Sequence, residues 1–279
     1  MDTHVYTIQL DKPSRLVHIE PLGDLHIGSR SCDKKKMFEV RDRIKNDKWI
    51  YTIVMGDITD AIFPHPLEAR FSMDVLDPEF FLPPSEDDDL TEYGIGIIDY
   101  QYEYARKLLD PIKDKIIALH SGNHDWKLVK YHHRDWARSL ANNLGVKYAK
   151  GMCMTRVRFT CKDKLLWSIV INSHHGSFGG QTDGGNLTKL VQLMTGWEAD
   201  LYLRGHSHRL FDAKRIRKYV DEEGNLVDKT IILASVGSFT DTYKMGYTSY
   251  GEERDYLPLR VGTTTITVNP LEKKIYSHT

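Results

Sequence analysis

The sequence contains little cysteine, and the cysteines it has are widely spaced. Cys32, Cys153 and Cys161 are too few and too far apart for a disulfide framework or a thiolate zinc site. We therefore expect reduced thiols and a cytoplasmic location. These absences leave oxygen and nitrogen ligands as the means of holding any metal.

Long apolar runs are also absent. No stretch approaches the roughly 18 consecutive apolar residues of a membrane-spanning helix, so we expect no membrane association. The first 15 residues lack an apolar segment after a basic start, so we expect no secretory signal. The 279 residues, 41% of them hydrophobic, supply enough core for one large α/β unit, and we expect a single domain over 1–279.

A strong net charge is the third feature that the sequence lacks. The formal charge is −1, from 38 basic and 39 acidic residues, which taken alone disfavours a nucleic-acid partner. The charge is unevenly placed, however, because residues 61–100 hold ten acids and one base. That segment carries −9 and the remainder of the chain +8, so nucleic acid is not excluded.

The same acidic segment holds five of the ten prolines, which interrupt regular structure. We expect an irregular insertion at about 61–96. It is either a solvated loop, or a lid or oligomer contact at the rim of the functional site.

The hydrophobic pattern predicts alternating strands and helices. The predicted helices are 33–46, 97–113, 126–143 and 186–195. The predicted strands are 5–10, 16–20, 49–55, 115–120, 152–160, 165–172, 200–203, 210–219, 229–235 and 263–268. This order predicts a layered α/β domain in which helices cover sheets.

Five polar clusters follow predicted strands directly. They are Gly23-Asp24-Leu25-His26, Gly56-Asp57-Ile58-Thr59-Asp60, Ser121-Gly122-Asn123-His124-Asp125, Asn172-Ser173-His174-His175-Gly176 and Gly205-His206-Ser207-His208. Ligands of open α/β sheets bind outside the carboxyl ends of the strands, so the clusters can converge in space. Each cluster alone is equally compatible with a turn, a helix cap or a surface pair. Five of them at strand ends favour a shared site.

Carboxylate, carboxamide and imidazole groups form a ligand set that suits Mn, Fe, Zn, Co or Ni. Asp24, His26, Asp57, Asn123, His206, His208 and one of His174 and His175 give seven ligands. Seven are too many for one catalytic metal with an open position. They fit two metals about 3.5–4 Å apart that share a bridging carboxylate.

The motif series GDLH, GDITD, GNHD, HHG and GHSH resembles the calcineurin-like metallophosphoesterase superfamily. It runs over residues 23–208, and the flanking strands extend the likeness over most of the chain. The resemblance implies a four-layer α/β-sandwich, with two mixed β-sheets flanked by helices and a dinuclear metal centre at the strand ends.

The resemblance also implies a role for each ligand. It places Asp24, His26 and His208 on one metal, places Asn123, His175 and His206 on the second, and makes Asp57 the bridge. We choose His175 over His174 because the family has glycine directly after this histidine. The metals are two divalent ions, with Mn favoured and Fe, Zn, Ni or Co as alternatives.

Two further residues match catalytic positions of the family. His124 matches the histidine that assists the leaving oxygen, and Asp60 matches the carboxylate that holds this histidine. Asp125 is an alternative partner for His124, or an acid favoured in the first turn of a helix.

The substrate is less well defined. Ser/Thr protein phosphatases of this superfamily have Arg and Glu where this chain has Ala61 and Asp125, which disfavours that activity. The motif wording resembles the DNA double-strand-break repair nucleases and small phosphodiesterases, and the Gly-rich stretch after the histidines resembles metallophosphoesterases of bacteriophages. We expect a phosphodiesterase or nuclease acting on DNA or nucleotides. The alternatives are a phosphomonoesterase and, remotely, a non-catalytic metal-binding scaffold.

Two basic segments, 126–150 and 204–218, adjoin the motif loops and could bind phosphates. We take Lys127, Arg134, Arg209 and His174 as candidate substrate-binding residues. Trp126, Tyr131 and Trp136 could stack on nucleobases, or could instead pack a helix onto the sheet.

Overall fold

Two mixed six-stranded sheets form the centre of the computed structural model, which describes residues 1–61, 74–81, 90–177 and 182–278. The first sheet has the order β12-β11-β2-β3-β4-β5 and the second β1-β6-β7-β8-β10-β9. The strands are β1 (Asp2–Leu10), β2 (Val17–Ile19), β3 (Ile50–Val54), β4 (Ile116–His120), β5 (Tyr148–Ala149), β6 (Cys153–Cys161), β7 (Lys164–His174), β8 (Leu201–Arg204), β9 (Leu210–Val220), β10 (Leu226–Val236), β11 (Thr265–Asn269) and β12 (Lys274–His278).

Parallel pairs lie at the middle of both sheets. In the first sheet β2, β3, β4 and β5 pair in parallel, and β11 joins β2 antiparallel. In the second sheet β7 and β10 pair in parallel with β8 on either side. The hairpins β6–β7 and β9–β10 are antiparallel. All ten predicted strands are present, while the short strands β5 and β12 were not predicted.

The helices are α1 (Lys34–Asn46), α2 (Leu90–Leu109), α3 (Asn123–His132), α4 (Trp136–Leu144), α5 (Asp183–Gly196) and α6 (Tyr250–Glu253). The prediction of one helix over 126–143 was wrong, because two helices cover this region. The backbone of His133 turns left-handed (φ 54°) and ends α3. The side chain of Asp135 then accepts a hydrogen bond from the backbone of Arg138 and caps α4.

Three buried clusters separate the layers. One lies between the sheets and contains residues of both, such as Phe159 and Ile169 of the second and Ile53 and Ile117 of the first. A second packs α1, α2 and α4 on the outside of the first sheet. A third packs α5 on the outside of the second sheet through Leu190. The order helix, sheet, sheet, helix confirms the predicted four-layer α/β-sandwich.

Much of the expected acidic insertion at 61–96 lies outside the described residues, namely 62–73 and 82–89. Its described part at 74–81 packs on the domain, since Leu76 and Phe80 are buried. The backbone N–H of Asp77 also donates a hydrogen bond to the carbonyl of Gly28. Residues 90–96 belong to α2. Among the helices that the structure describes, none combines the length and apolar character needed to cross a membrane.

Candidate metal centre

All five polar clusters lie at the carboxyl ends of parallel strands. The loops after β2, β3 and β4 come from neighbouring strands of the first sheet, and the loops after β7 and β8 come from neighbouring strands of the second. Because the two sheets face each other, their strand ends meet at one edge of the sandwich. The topology thus brings together side chains as distant in sequence as Asp24 and His208.

The first group of candidate ligands is Asp24, His26 and His208, whose ligand atoms all lie within 4.8 Å of one another. Nε2 of His26 lies 3.0 Å from Nε2 of His208, which is 3.4 Å from Oδ1 of Asp24. The second ring nitrogen of each histidine, Nδ1, contacts a residue outside this group. Nδ1 of His26 contacts the Asp60 carboxylate at 2.8 Å, and Nδ1 of His208 contacts the Thr240 hydroxyl at 3.2 Å.

The second group is Asp57, His175 and His206. Nε2 of His175 lies 3.3 Å from Oδ2 of Asp57 and 2.9 Å from Oδ1 of Asn123, and that amide oxygen is 2.7 Å from Nδ1 of His206. Oδ2 of Asp57 also lies 3.9 Å from Nε2 of His26 in the first group. Asp57 therefore stands between the two groups, and Asn123 is exposed, so the centre opens to solvent there.

His124 lies at the edge of this centre and belongs to a third group with His26 and Asp57. Its Nδ1 donates to the backbone carbonyl of Asp60 at 2.6 Å and lies 3.2 Å from the Asp60 carboxylate. Burial opposes protonation of His124, but the carboxylates of Asp57 and Asp60 outweigh it and raise its pKa to about 9. Asp60 thus contacts both His26 and His124.

The donor atoms of the centre fit divalent cations. The Asp60 carboxylate and the Met55 carbonyl can only accept hydrogen bonds, so the Nδ1 atoms of His26 and His175 carry their hydrogens. The Nε2 lone pairs of these rings then face other acceptors. In the metal-free chain burial alone would raise the pKa of Asp57, but protonated His175 and His124 hold it well below its usual range. Divalent cations would take the place of those protons and leave the Nε2 lone pairs free to coordinate. A set of converging acceptors around buried carboxylates needs positive charge, which divalent metal ions would supply.

The N-terminus of α3 is fixed by Asp125, and this excludes Asp125 as the partner of His124. Its carboxylate accepts hydrogen bonds from the backbone of Gly122 at 2.8 Å and of Ile58 at 3.4 Å. The hydroxyl of Tyr102 on α2 also donates to it. These hydrogen bonds join the loop after β3 to the loop after β4. They match the second role considered for Asp125, an acid in the first turn of a helix.

His174 and His175 lie in different surroundings. Nδ1 of His174 accepts a hydrogen bond from the backbone of Gly176 at 2.8 Å, and the residue is not in any of the three ligand groups. Burial and the nearby guanidinium of Arg204 lower the pKa of His174 to about 4. His175 is buried and points at Asp57.

The proposed substrate-binding residues lie farther out. Arg134 is exposed and 3.4 Å from Asp99, whereas Arg209 is mostly buried and paired with Asp183 at 3.0 Å. Lys127 is half-buried on α3. Their role in substrate binding stays a prediction.

The two tryptophans of the basic segment 126–150 differ in their exposure. Trp136 is 4% exposed and donates to Asp99, which matches the alternative that it packs a helix onto the sheet. Trp126 is 37% exposed, and Nζ of Lys150 lies 3.6 Å from the centre of its ring.

Three residues of the site carry no motif and were not predicted. Thr240 contacts His208, and Tyr102 contacts Asp125. His120 links the sheets, because its Nε2 lies 2.9 Å from the Ser173 hydroxyl on β7 while its Nδ1 donates to the carbonyl of Gly151. Each contact joins segments far apart in sequence, so no local pattern could have indicated it.

Comparison with known proteins supports the geometry. Residues 22–210 match the family described as calcineurin-like phosphoesterase. A search of curated proteins found no match. Similar solved structures include a conserved uncharacterized protein, predicted to be a phosphoesterase, from Streptococcus pneumoniae. It is 14% identical, with 95% of this chain and 99% of that chain covered and a TM-score of 0.35.

Two further solved structures show the same level of similarity. A metallophosphoesterase from Sphaerobacter thermophilus is 11% identical, with 94% and 87% of the two chains covered and a TM-score of 0.37. GAP50 of Plasmodium, described as the anchor in the inner membrane complex, is 11% identical, with 94% and 88% covered and a TM-score of 0.42. These scores carry no argument about activity, so the assignment rests on the family match over 22–210.

Proposed function

Since the chain belongs to the calcineurin-like phosphoesterase family, whose members are metal-dependent, we propose that it is a dinuclear phosphodiesterase acting on DNA or nucleotides. The observation that supports this most is the convergence of two ligand groups on Asp57, with His124 at their edge. A scaffold without activity would not need His124 held there.

We assign the first metal to Asp24, His26 and His208 and the second to Asn123, His175 and His206, with Asp57 between them. Divalent ions held there would lower the pKa of a bound water to ~7 and would bind the phosphate oxygens. The chain's part is to fix the geometry. Asp57 is held for this by the backbone N–H of His124, which donates to its Oδ1 at 2.9 Å.

His124 protonates the leaving oxygen in this mechanism. Its Nδ1 hydrogen is held by Asp60, so Nε2 is the atom that faces a substrate and transfers the proton. In the metal-free protein Asp57 and Asp60 raise the pKa of His124 to about 9, and the contact with Asp60 favours the protonated form that a general acid requires. Asp60 acts as a positioning residue that also orients His26.

A diester fits the site better than a monoester because a monoester carries a second negative charge. Arginine is the usual partner of such oxygens. The two arginines next to candidate ligands are both engaged elsewhere. Arg204 is buried and donates to the carbonyl and side chain of Asn172, and Arg209 pairs with Asp183.

The first experiment is a substrate panel. Purified protein loaded separately with Mn, Fe, Zn, Ni or Co is assayed on bis-p-nitrophenyl phosphate and on p-nitrophenyl phosphate. Single-stranded DNA, duplex DNA and cyclic nucleotides follow. We expect faster diester hydrolysis that stops with a chelator. Faster monoester hydrolysis would support the phosphatase alternative, and no hydrolysis with any metal would support the scaffold.

The second experiment uses neighbouring histidines as matched controls. His175→Ala should lose one metal per chain by elemental analysis, while His174→Ala should keep both. His124→Ala should keep both metals and lose ~10²–10⁴-fold in turnover, the usual contribution of a positioned acid. Asp57→Asn should lose metal and activity together. Full activity in His124→Ala would remove its assigned role.

A further inference from the structure

The loop after β10 begins at the metal centre. The backbone of Phe239 donates to the carbonyl of Asp24 at 3.0 Å, and Thr240 contacts His208. The backbone of Asp241 then donates to the carbonyl of Ser31 at 2.7 Å. The next residues are therefore held beside the loop that carries His26.

An open cavity of about 410 Å³ lies in this loop, lined by Tyr243, Lys244, Met245, Tyr247 and Glu252 among others. Tyr243 is 43% exposed and Met245 99% exposed, although both are large and apolar in part. Exposed aromatic and thioether side chains that lie together, as they do here, are typical of binding surfaces.

Two contacts join the cavity to Arg30, in the segment that follows His26. Nζ of Lys244 donates to the carbonyl of Arg30 at 3.0 Å, and the Arg30 guanidinium lies 5.9 Å from the ring centre of Tyr247. Arg30 is four residues after His26.

The ring of Tyr243 has a fixed position. Its hydroxyl donates to the carbonyl of Tyr256 at 2.5 Å, so the ring is oriented before any ligand arrives. A ring that is already ordered loses little entropy on binding. The loop thus presents a prepared flat surface next to Lys244 and Arg30.

We propose that this cavity binds the nucleobase of a nucleotide ester whose phosphate lies at the metal centre. The inference rests on the proposed function. It adds that the protein also recognises the substrate through its base, at a distance from the phosphorus atom. Its volume is within the usual range for small-molecule sites, ~300–1,000 Å³. Nucleotides are phosphate esters that combine a flat ring with polar edges, which suits the aromatic, cationic and acidic lining.

The test compares adenosine 5′-monophosphate with ribose 5-phosphate, which differ only in the base. Both are measured as inhibitors of bis-p-nitrophenyl phosphate hydrolysis, and by calorimetry on the metal-loaded protein. We expect the base to tighten binding roughly five- to hundredfold, as stacking on an aromatic side chain does. Tyr243→Leu and Tyr247→Leu should bring this ratio toward one, while Tyr243→Phe and Tyr247→Phe should keep it.

Tyr219→Leu is the matched control, because Tyr219 is 47% exposed on β9 and does not line the cavity. It should leave the ratio unchanged. Equal binding of the two ligands by the unaltered protein, or an unchanged ratio in both leucine variants, would overturn the inference. Absence of hydrolysis would instead count against the proposed function, and calorimetry would still decide base binding.

Discussion

Gly122 provides the sharpest test of the metal centre because its backbone touches a candidate ligand. A Cβ at this position would lie 2.1 Å from Oδ1 and 2.3 Å from the backbone nitrogen of Asp57. The φ of Gly122 is −101°, which alanine adopts without strain. Gly122→Ala therefore tests close approach alone.

The size of the effect follows from these distances. Ordinary contact begins at 3.4 Å, so Asp57 or the start of α3 must move by about 1 Å, and displacements of that size can cost about 10²-fold in turnover. The backbone of Gly56 limits the movement, since it packs against Gly122 from the other loop. Overpacking of this kind lowers the free energy of unfolding by about 1–3 kcal/mol.

The assay combines diester turnover, metal content by elemental analysis and denaturant unfolding. Gly184→Ala is the matched control, because nothing lies within 4 Å of its Cβ position and it sits in the first turn of α5. We expect Gly184→Ala to keep both metals and full turnover, with stability unchanged or slightly raised. A Gly122→Ala protein with normal metal content and turnover would refute the proposed position of Asp57.

Two predictions concern groups buried behind the site. Burial lowers the pKa of His120 to about 3, so it is neutral when folded but takes up a proton on unfolding below its ordinary value of about 6.5. The metal-free protein should therefore lose unfolding free energy as the pH falls from ~6.5 to ~4. In His120→Gln the slope of this fall should be smaller, by up to about 1.4 kcal/mol per pH unit. Identical slopes in denaturant unfolding would contradict this. Tyr102→Phe removes the hydroxyl that donates to the buried Asp125. It should lower the unfolding free energy by about 1.5–3 kcal/mol, and an unchanged denaturation midpoint would show that Asp125 needs no such partner.

The strands and their polar ends could be predicted because the information is local. A short β-branched run followed by Gly and Asp, as in 49–57, shows both the strand and its end in adjacent residues. The break between α3 and α4 also had a local signal, since Asp135 is a favourable helix cap. It was missed because apolar spacing continues across the break from Leu128 to Trp136.

The residues that support the ligands could not be predicted. Tyr102 reaches Asp125 from α2, and Thr240 reaches His208 from the loop after β10. Neither position differs in local sequence from many other tyrosines and threonines. Their role depends on which faces of α2 and of that loop pack inward, and only the assembled sandwich determines this.

The backbone conformation limits which residue types can stand at the ligand positions. Five of the seven candidate ligands have left-handed backbones, with φ between 46° and 67°: Asp24, His26, Asp57, His206 and His208. This conformation costs most L-residues about 1–2 kcal/mol, and Asp and His tolerate it better than most. The surrounding hydrogen bonds hold it, as when the backbone of Asp24 donates to the carbonyl of Gly56 and that of His206 donates to the Asp24 carboxylate. Each such position must both supply a ligand atom and accept a left-handed turn. Few residue types meet both conditions, so a short motif at a strand end indicates this site more strongly than its length suggests.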